Sequence, residues 1–136
     1  MSAADAAAEA ARWLAYAEDD VRAARGLAAM ADVKPGQACY HAQQAAEKAL
    51  KATLVLAAVS LPRSHDLVLL SGLAPAGWNV AQLPPADLGA LGRWLQEGRY
   101  PDVPGAFGAT PAEAQAALTF ADQVVEAAKK DLVDHA

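Results

Sequence analysis

Alanine fills 37 of the 136 positions, about half of all the apolar residues in the chain. It is the best helix former and a poor strand former, so this one bias argues against an all-β or parallel α/β architecture. An apolar share of 54% argues equally against a disordered chain. A lone cysteine, Cys39, removes any disulfide framework or multi-cysteine zinc site. No apolar run approaches the roughly 18 residues that read as a bilayer span. The opening MSAADAAAEA lacks the basic stretch and apolar core of a secretory signal. A single cytoplasmic all-α domain over residues 1–136, with no cofactor or metal, is the expectation.

Proline and glycine divide the chain into helices. A first helix is expected from about Asp5 to Ala31, with Trp13, Ala17, Val21, Ala24 and Ala28 on its buried face, and Lys34-Pro35-Gly36 ends it. A second runs from about Gly36 to Val59. Ser64 is the expected N-cap of a short helix from His65 to Ser71. Residues 72–83 read as a loop, and Pro84-Pro85 opens a fourth segment to about Glu97. A Gly/Pro-rich loop follows. Thr110-Pro111-Ala112-Glu113 is a capping box with proline at the first helical position, and it opens a last helix to about Asp134. Its expected buried face is Ala117, Ala121, Val124, Ala128 and Leu132. Three helices of over twenty residues, each about 35 Å long at 1.5 Å per residue, pack as an up-and-down bundle of four to five helices. Alanine faces bury little area, so a homodimer would thicken a thin core.

The charge is uneven. Residues 1–34 carry four basic and six acidic groups, residues 35–100 five and four, and residues 101–136 two and six, for a total of −5. Duplex DNA binding is not expected, because no basic stripe runs along the chain. An anion site would lie in the middle third, and the second helix offers one. On a helical wheel Gln37, His41, Gln44, Lys48 and Lys51 form one polar stripe without a carboxylate, with Glu47 on its shoulder. Two cations, an imidazole and two amides suit a phosphate or a nucleic-acid backbone. The same pattern fits a solvated helix face or a subunit interface.

The run CYHAQQAAEKALKA (39–52), then His65-Asp66-Leu67 after a proline, then Arg99-Tyr100-Pro101, with Trp13 and Asp19-Asp20 in the first helix, resembles the HEPN domain. The likeness extends over about residues 10–130. It implies a bundle of four or five helices, a homodimer, binding of a nucleotide or RNA, and a partnership with a minimal nucleotidyltransferase, often as a toxin–antitoxin module. Many such domains are metal-independent ribonucleases with an arginine followed, after four to six residues, by a histidine. Here no arginine stands five to seven positions before His41, His65 or His135. The reading therefore leans away from an enzyme. A divergent ribonuclease built from Arg99, His65 and the stripe, and a purely structural dimerisation module, stand as alternatives.

His41, Gln44, Lys48 and Lys51 are the expected phosphate ligands, with His65 and Arg99 as further contacts. Tyr100 is a candidate for adenylylation, a modification that some members of the family undergo near the active arginine. Glu47 and Lys51, at i and i+4, make a helix ion pair. Cys39 lies on the apolar side and reads as core. Glu18-Asp19-Asp20 could hold a metal, but no matching ligand spacing stands elsewhere. Trp78 and Trp94 could stack a base, but core or interface packing is the better reading of both.

Overall fold

The computed structural model describes residues 1–97 and 108–136, and among these there is no strand. Helix α1 spans Ala3–Ala28, α2 Pro35–Leu56, α3 Leu67–Gly72, α4 Pro85–Gly92, α5 Trp94–Glu97 and α6 Pro111–His135; a 3-10 turn covers Asn79–Gln82. Helix α2 is the central member. It packs along α1 and α6 and meets α3, α4 and α5. Its sequence explains why: Ala42, Ala46, Ala49, Leu50 and Thr53 are all buried as the wheel predicts, and so are Ala38, Cys39, Ala45, Ala52 and Leu54. The all-α bundle expected from alanine content is the fold observed.

Small side chains let the three long helices approach closely, while many of the larger apolar groups come from the short elements. Leu50 and Leu54 of α2 meet Leu67 and Leu70 of α3, Val80 of the 3-10 turn, Leu88 and Leu91 of α4, Trp94 of α5 and Val124 of α6 in one cluster. Trp94 is thus core. Burial pushes the Cys39 thiol up to about 12, with the nearby Glu113 charge adding to the shift, so the group is inert as a nucleophile at neutral pH.

Several boundaries differ from the sequence expectation, each for a local reason. Helix α1 stops at Ala28; the buried ridge is Ala6, Ala10, Leu14, Ala17, Val21 and Ala24, with Ala28 left more exposed and Trp13 only half-buried beside it. The short helix α3 begins at Leu67, not His65. Its cap is Asp66, whose carboxylate accepts from the Val68 and Leu69 amides, while the Ser64 hydroxyl accepts from the Asp66 amide. The segment 84–97 is interrupted at Arg93, and the expected loop 72–83 contains the 3-10 turn. The Thr110 capping box is present with both of its hydrogen bonds.

Helix α2 ends at Leu56 because the chain turns left-handed at Ala58 (φ 59°), where the amides of Ala58 and Val59 close on the carbonyls of Val55 and Leu54. Glycine is the usual residue at such a C-terminal turn, since a Cβ in this conformation costs about 1–2 kcal/mol. Ala58→Gly is therefore expected to stabilise the fold by roughly 0.5–1 kcal/mol, net of the flexibility glycine adds to the unfolded chain. Urea unfolding measures it.

Candidate functional site

The α1–α2 hairpin is antiparallel, and its register follows from the pairs it makes. Lys51 Nζ lies 5.8 Å from the centroid of the Trp13 ring, and Asp20 reaches both His41 and Lys48. The stripe on α2 therefore faces the ridge of α1 that carries Trp13, Tyr16 and Asp20.

Two carboxylates enter the stripe, which overturns its carboxylate-free reading. Lys48 Nζ donates to Asp20 Oδ2 at 2.5 Å, and His41 Nδ1 stands 3.1 Å from Asp20 Oδ1. Lys51 Nζ donates to Glu47 Oε2 at 2.8 Å, and His65 Nδ1 stands 3.0 Å from both oxygens of Glu47. Gln43 Nε2 donates to Glu47 Oε1 at 3.2 Å, and Gln44 Nε2 donates to Gln43 Oε1 at 2.7 Å. A wheel of α2 cannot show Asp20, which belongs to another helix. It understates Glu47 because α2 is enclosed on most sides, so a shoulder position is buried. The Glu47–Lys51 pair itself is as expected.

The result is two matched units, each a carboxylate holding one lysine and one imidazole through Nδ1. An ionised carboxylate can only accept, so each neutral ring carries its proton on Nδ1 and keeps Nε2 as the free nitrogen. Exposure separates the members. The His65 side chain is 62% exposed and that of Lys48 31%, whereas that of Lys51 is 13% exposed. His41 and Gln44 are half-buried, and Gln37, the first residue of the stripe, is exposed. Burial alone would raise the Glu47 carboxyl, but the hydrogen bonds from Lys51, His65 and Gln43 together with the Lys51 charge outweigh it and hold the group below its usual range. With both imidazoles neutral the lysines and carboxylates cancel. Lys48 uses one of its three N–H donors on Asp20, which offsets its charge, and keeps its remaining donor capacity for an anion.

Beside this network lies a groove of about 550 Å³ lined by Glu9, Arg12, Trp13, Tyr16 and Lys48. The sequence reading assigns a site role to none of the four α1 residues in it. The available signal is their spacing: positions 9, 12, 13 and 16 share one face of a helix.

Other sequence candidates fall elsewhere. Asp19 pairs with Arg22 and Asp20 with the α2 stripe, and among the described residues no group of three or more His, Cys, Asp or Glu side chains is placed to hold a metal. The Trp78 ring stacks on His135, with centroids 4.0 Å apart and planes at 2°. Arg99 and Tyr100 lie outside the described residues. No helix among the described residues is long and apolar enough to cross a membrane.

The same arrangement of helices recurs in known proteins. The family model of the HEPN domain matches residues 10–132. The crystal structure of TT1696 from Thermus thermophilus is similar with a TM-score of 0.76 and 29% identity, over 90% of this chain and 97% of that one. The crystal structure of ST0689, an archaeal HEPN homologue, is similar with a TM-score of 0.66 and 27% identity, over the same shares of the two chains. No curated protein matches.

Proposed function

This chain belongs to the HEPN family, and from that premise we propose that it is a nucleotide- or RNA-binding partner of a minimal nucleotidyltransferase, working in the cytoplasm within a toxin–antitoxin module. The observation that carries the binding half of this reading is the paired network on the hairpin face, where Asp20 and Glu47 hold His41, Lys48, Lys51 and His65 in fixed positions. Lys48 supplies the charge for a phosphate, with His41, Gln44 and His65 as hydrogen-bonding neighbours. Lys51 is largely covered and acts by fixing Glu47. Arg99 is a further phosphate contact in this reading. The partnership half rests on the family likeness, and so does adenylylation of Tyr100.

Titration with ATP and with a short single-stranded RNA tests the binding. Lys48→Gln is the variant of choice, because a carboxylate at position 48 would stand against Asp20. It is expected to weaken binding about ten- to a hundredfold, in line with the roughly 1.5–3 kcal/mol of a hydrogen bond to a charged group, with circular dichroism unchanged. Wild-type affinity in this variant would overturn the assignment. Metal-independent cleavage of the RNA by the isolated chain would replace binding by catalysis. Co-purification with a nucleotidyltransferase encoded next door, and mass spectrometry of Tyr100 in that complex, test the partnership and the modification separately.

We further propose a homodimer. Helix α3 leaves Val68 and Leu69 exposed, and Leu73 just after it, although the helix is only six residues long. Large apolar groups clustered on so short an element favour burial against another chain. Sedimentation equilibrium at micromolar concentration is expected to give the mass of two chains; a stable monomer would count against it.

A further inference from the structure

The groove beside the network differs from it in one respect: it is rich in aromatic surface. Trp13 and Tyr16 are successive neighbours on one face of α1, and Tyr16 is 63% exposed on a helix whose other apolar residues are mostly alanine. Nothing in the bundle's packing calls for a phenol there. Among the described residues neither Glu9 nor Arg12 is ion-paired, whereas Lys48 and Lys51 are held by carboxylates. A half-buried carboxylate, an unpaired guanidinium and two aromatic rings therefore line one groove that ends on Lys48. Its volume, about 550 Å³, is within the range of small-molecule sites.

We infer that this groove is a nucleobase subsite, taking the aromatic base of a phosphorylated nucleoside whose phosphate lies on Lys48. The assignment rests on the phosphate-binding reading of the hairpin face and adds the part of the ligand that the stripe cannot recognise. Each feature has a role. Tyr16 offers a ring on which a base can stack without regard to sequence. Trp13 supplies the neighbouring apolar wall, its own ring lying within reach of the Lys51 charge. Glu9 accepts from an exocyclic amino group, which adenine, guanine and cytosine carry and uracil lacks. Arg12 provides a second cation for a further phosphate, or a planar surface over the base. A free nucleotide and one residue of a single strand present the same chemistry to these groups.

The full chain is titrated by calorimetry with ATP, with a short oligoadenylate and with inorganic tripolyphosphate, which has the charge and no base. Tyr16→Ala is the test variant, since an exposed side chain can be removed without disturbing the core. The expected result is that ATP, oligoadenylate or both bind more tightly than tripolyphosphate, and that Tyr16→Ala removes about tenfold of that advantage, the scale of one stacked base. Tripolyphosphate binding should be unaltered by the variant. Preference for ATP identifies a free nucleotide as the ligand, and preference for oligoadenylate identifies a single strand. If tripolyphosphate binds as tightly as both, or Tyr16→Ala leaves both affinities unchanged, the base subsite is wrong while the phosphate site stands. If none of the three binds, the phosphate reading fails and the subsite fails with it.

Discussion

Replacement of Asp131 by alanine is expected to cost about 3 kcal/mol and to lower the melting temperature by roughly 10 °C. Asp131 is fully buried on α6, outside every site that the sequence suggests. Its Oδ1 accepts from the Asn79 amide at 2.7 Å and from Asn79 Nδ2 at 2.8 Å, and its Oδ2 accepts from the Val80 amide at 3.1 Å. These donors open the 3-10 turn, where backbone amides have no partner within the turn itself. One carboxylate thereby fixes the connection between α3 and α4 and seats Val80 in the core. The Ser71 hydroxyl donates to the Val80 carbonyl at 2.8 Å and closes the other side. Alanine at 131 would leave the buried Val80 amide without a partner, at about 1–3 kcal/mol, besides the loss of two bonds at half-buried Asn79. Asn79→Ala, which removes only the side-chain bond, should cost about 1 kcal/mol. Urea unfolding of both variants measures the difference. A loss below about 1 kcal/mol in Asp131→Ala would mean that water replaces the carboxylate and that the turn is not held from α6.

Asp131 shows where sequence reading stops. The long helices are legible because alanine content, 3.6-residue periodicity and the Thr110 capping box all act within one segment. The same periodicity draws the polar stripe correctly around α2, and every residue placed opposite it is buried. What a wheel cannot supply is the neighbour. Asp20 enters the stripe from α1, Asp131 serves a turn on a distant stretch of chain, and Trp94 joins a core assembled from several other elements. Boundaries differ for a narrower reason. Ser64 and Asp66 are both good caps two residues apart, and the cap is Asp66, whose carboxylate reaches two amides. Periodicity places Trp13 on the buried face, yet it stands at the edge of that face, where the groove begins.

Glu47 connects stability to the candidate site, and its replacement carries the other large effect. The carboxylate is nearly buried and accepts from Gln43, Lys51 and His65. Glu47→Gln keeps the shape but leaves the largely covered Lys51 ammonium opposite a neutral amide. Breaking one side of such a pair costs about 3 kcal/mol at neutral pH. The pH dependence has a definite sign. The folded-state pKa of Glu47 is lowered from the usual 4.5, so between the two values the unfolded chain binds more protons than the folded one, and stability rises with pH there. The contribution is fully present above 4.5 and is lost as pH falls through the folded-state value. Wild type and Glu47→Gln should therefore differ most at neutral pH and converge under acid, where the wild-type carboxyl is itself protonated. Urea unfolding at both extremes measures the gap. A gap that stays constant across that range would mean the charge of Glu47 is not its source.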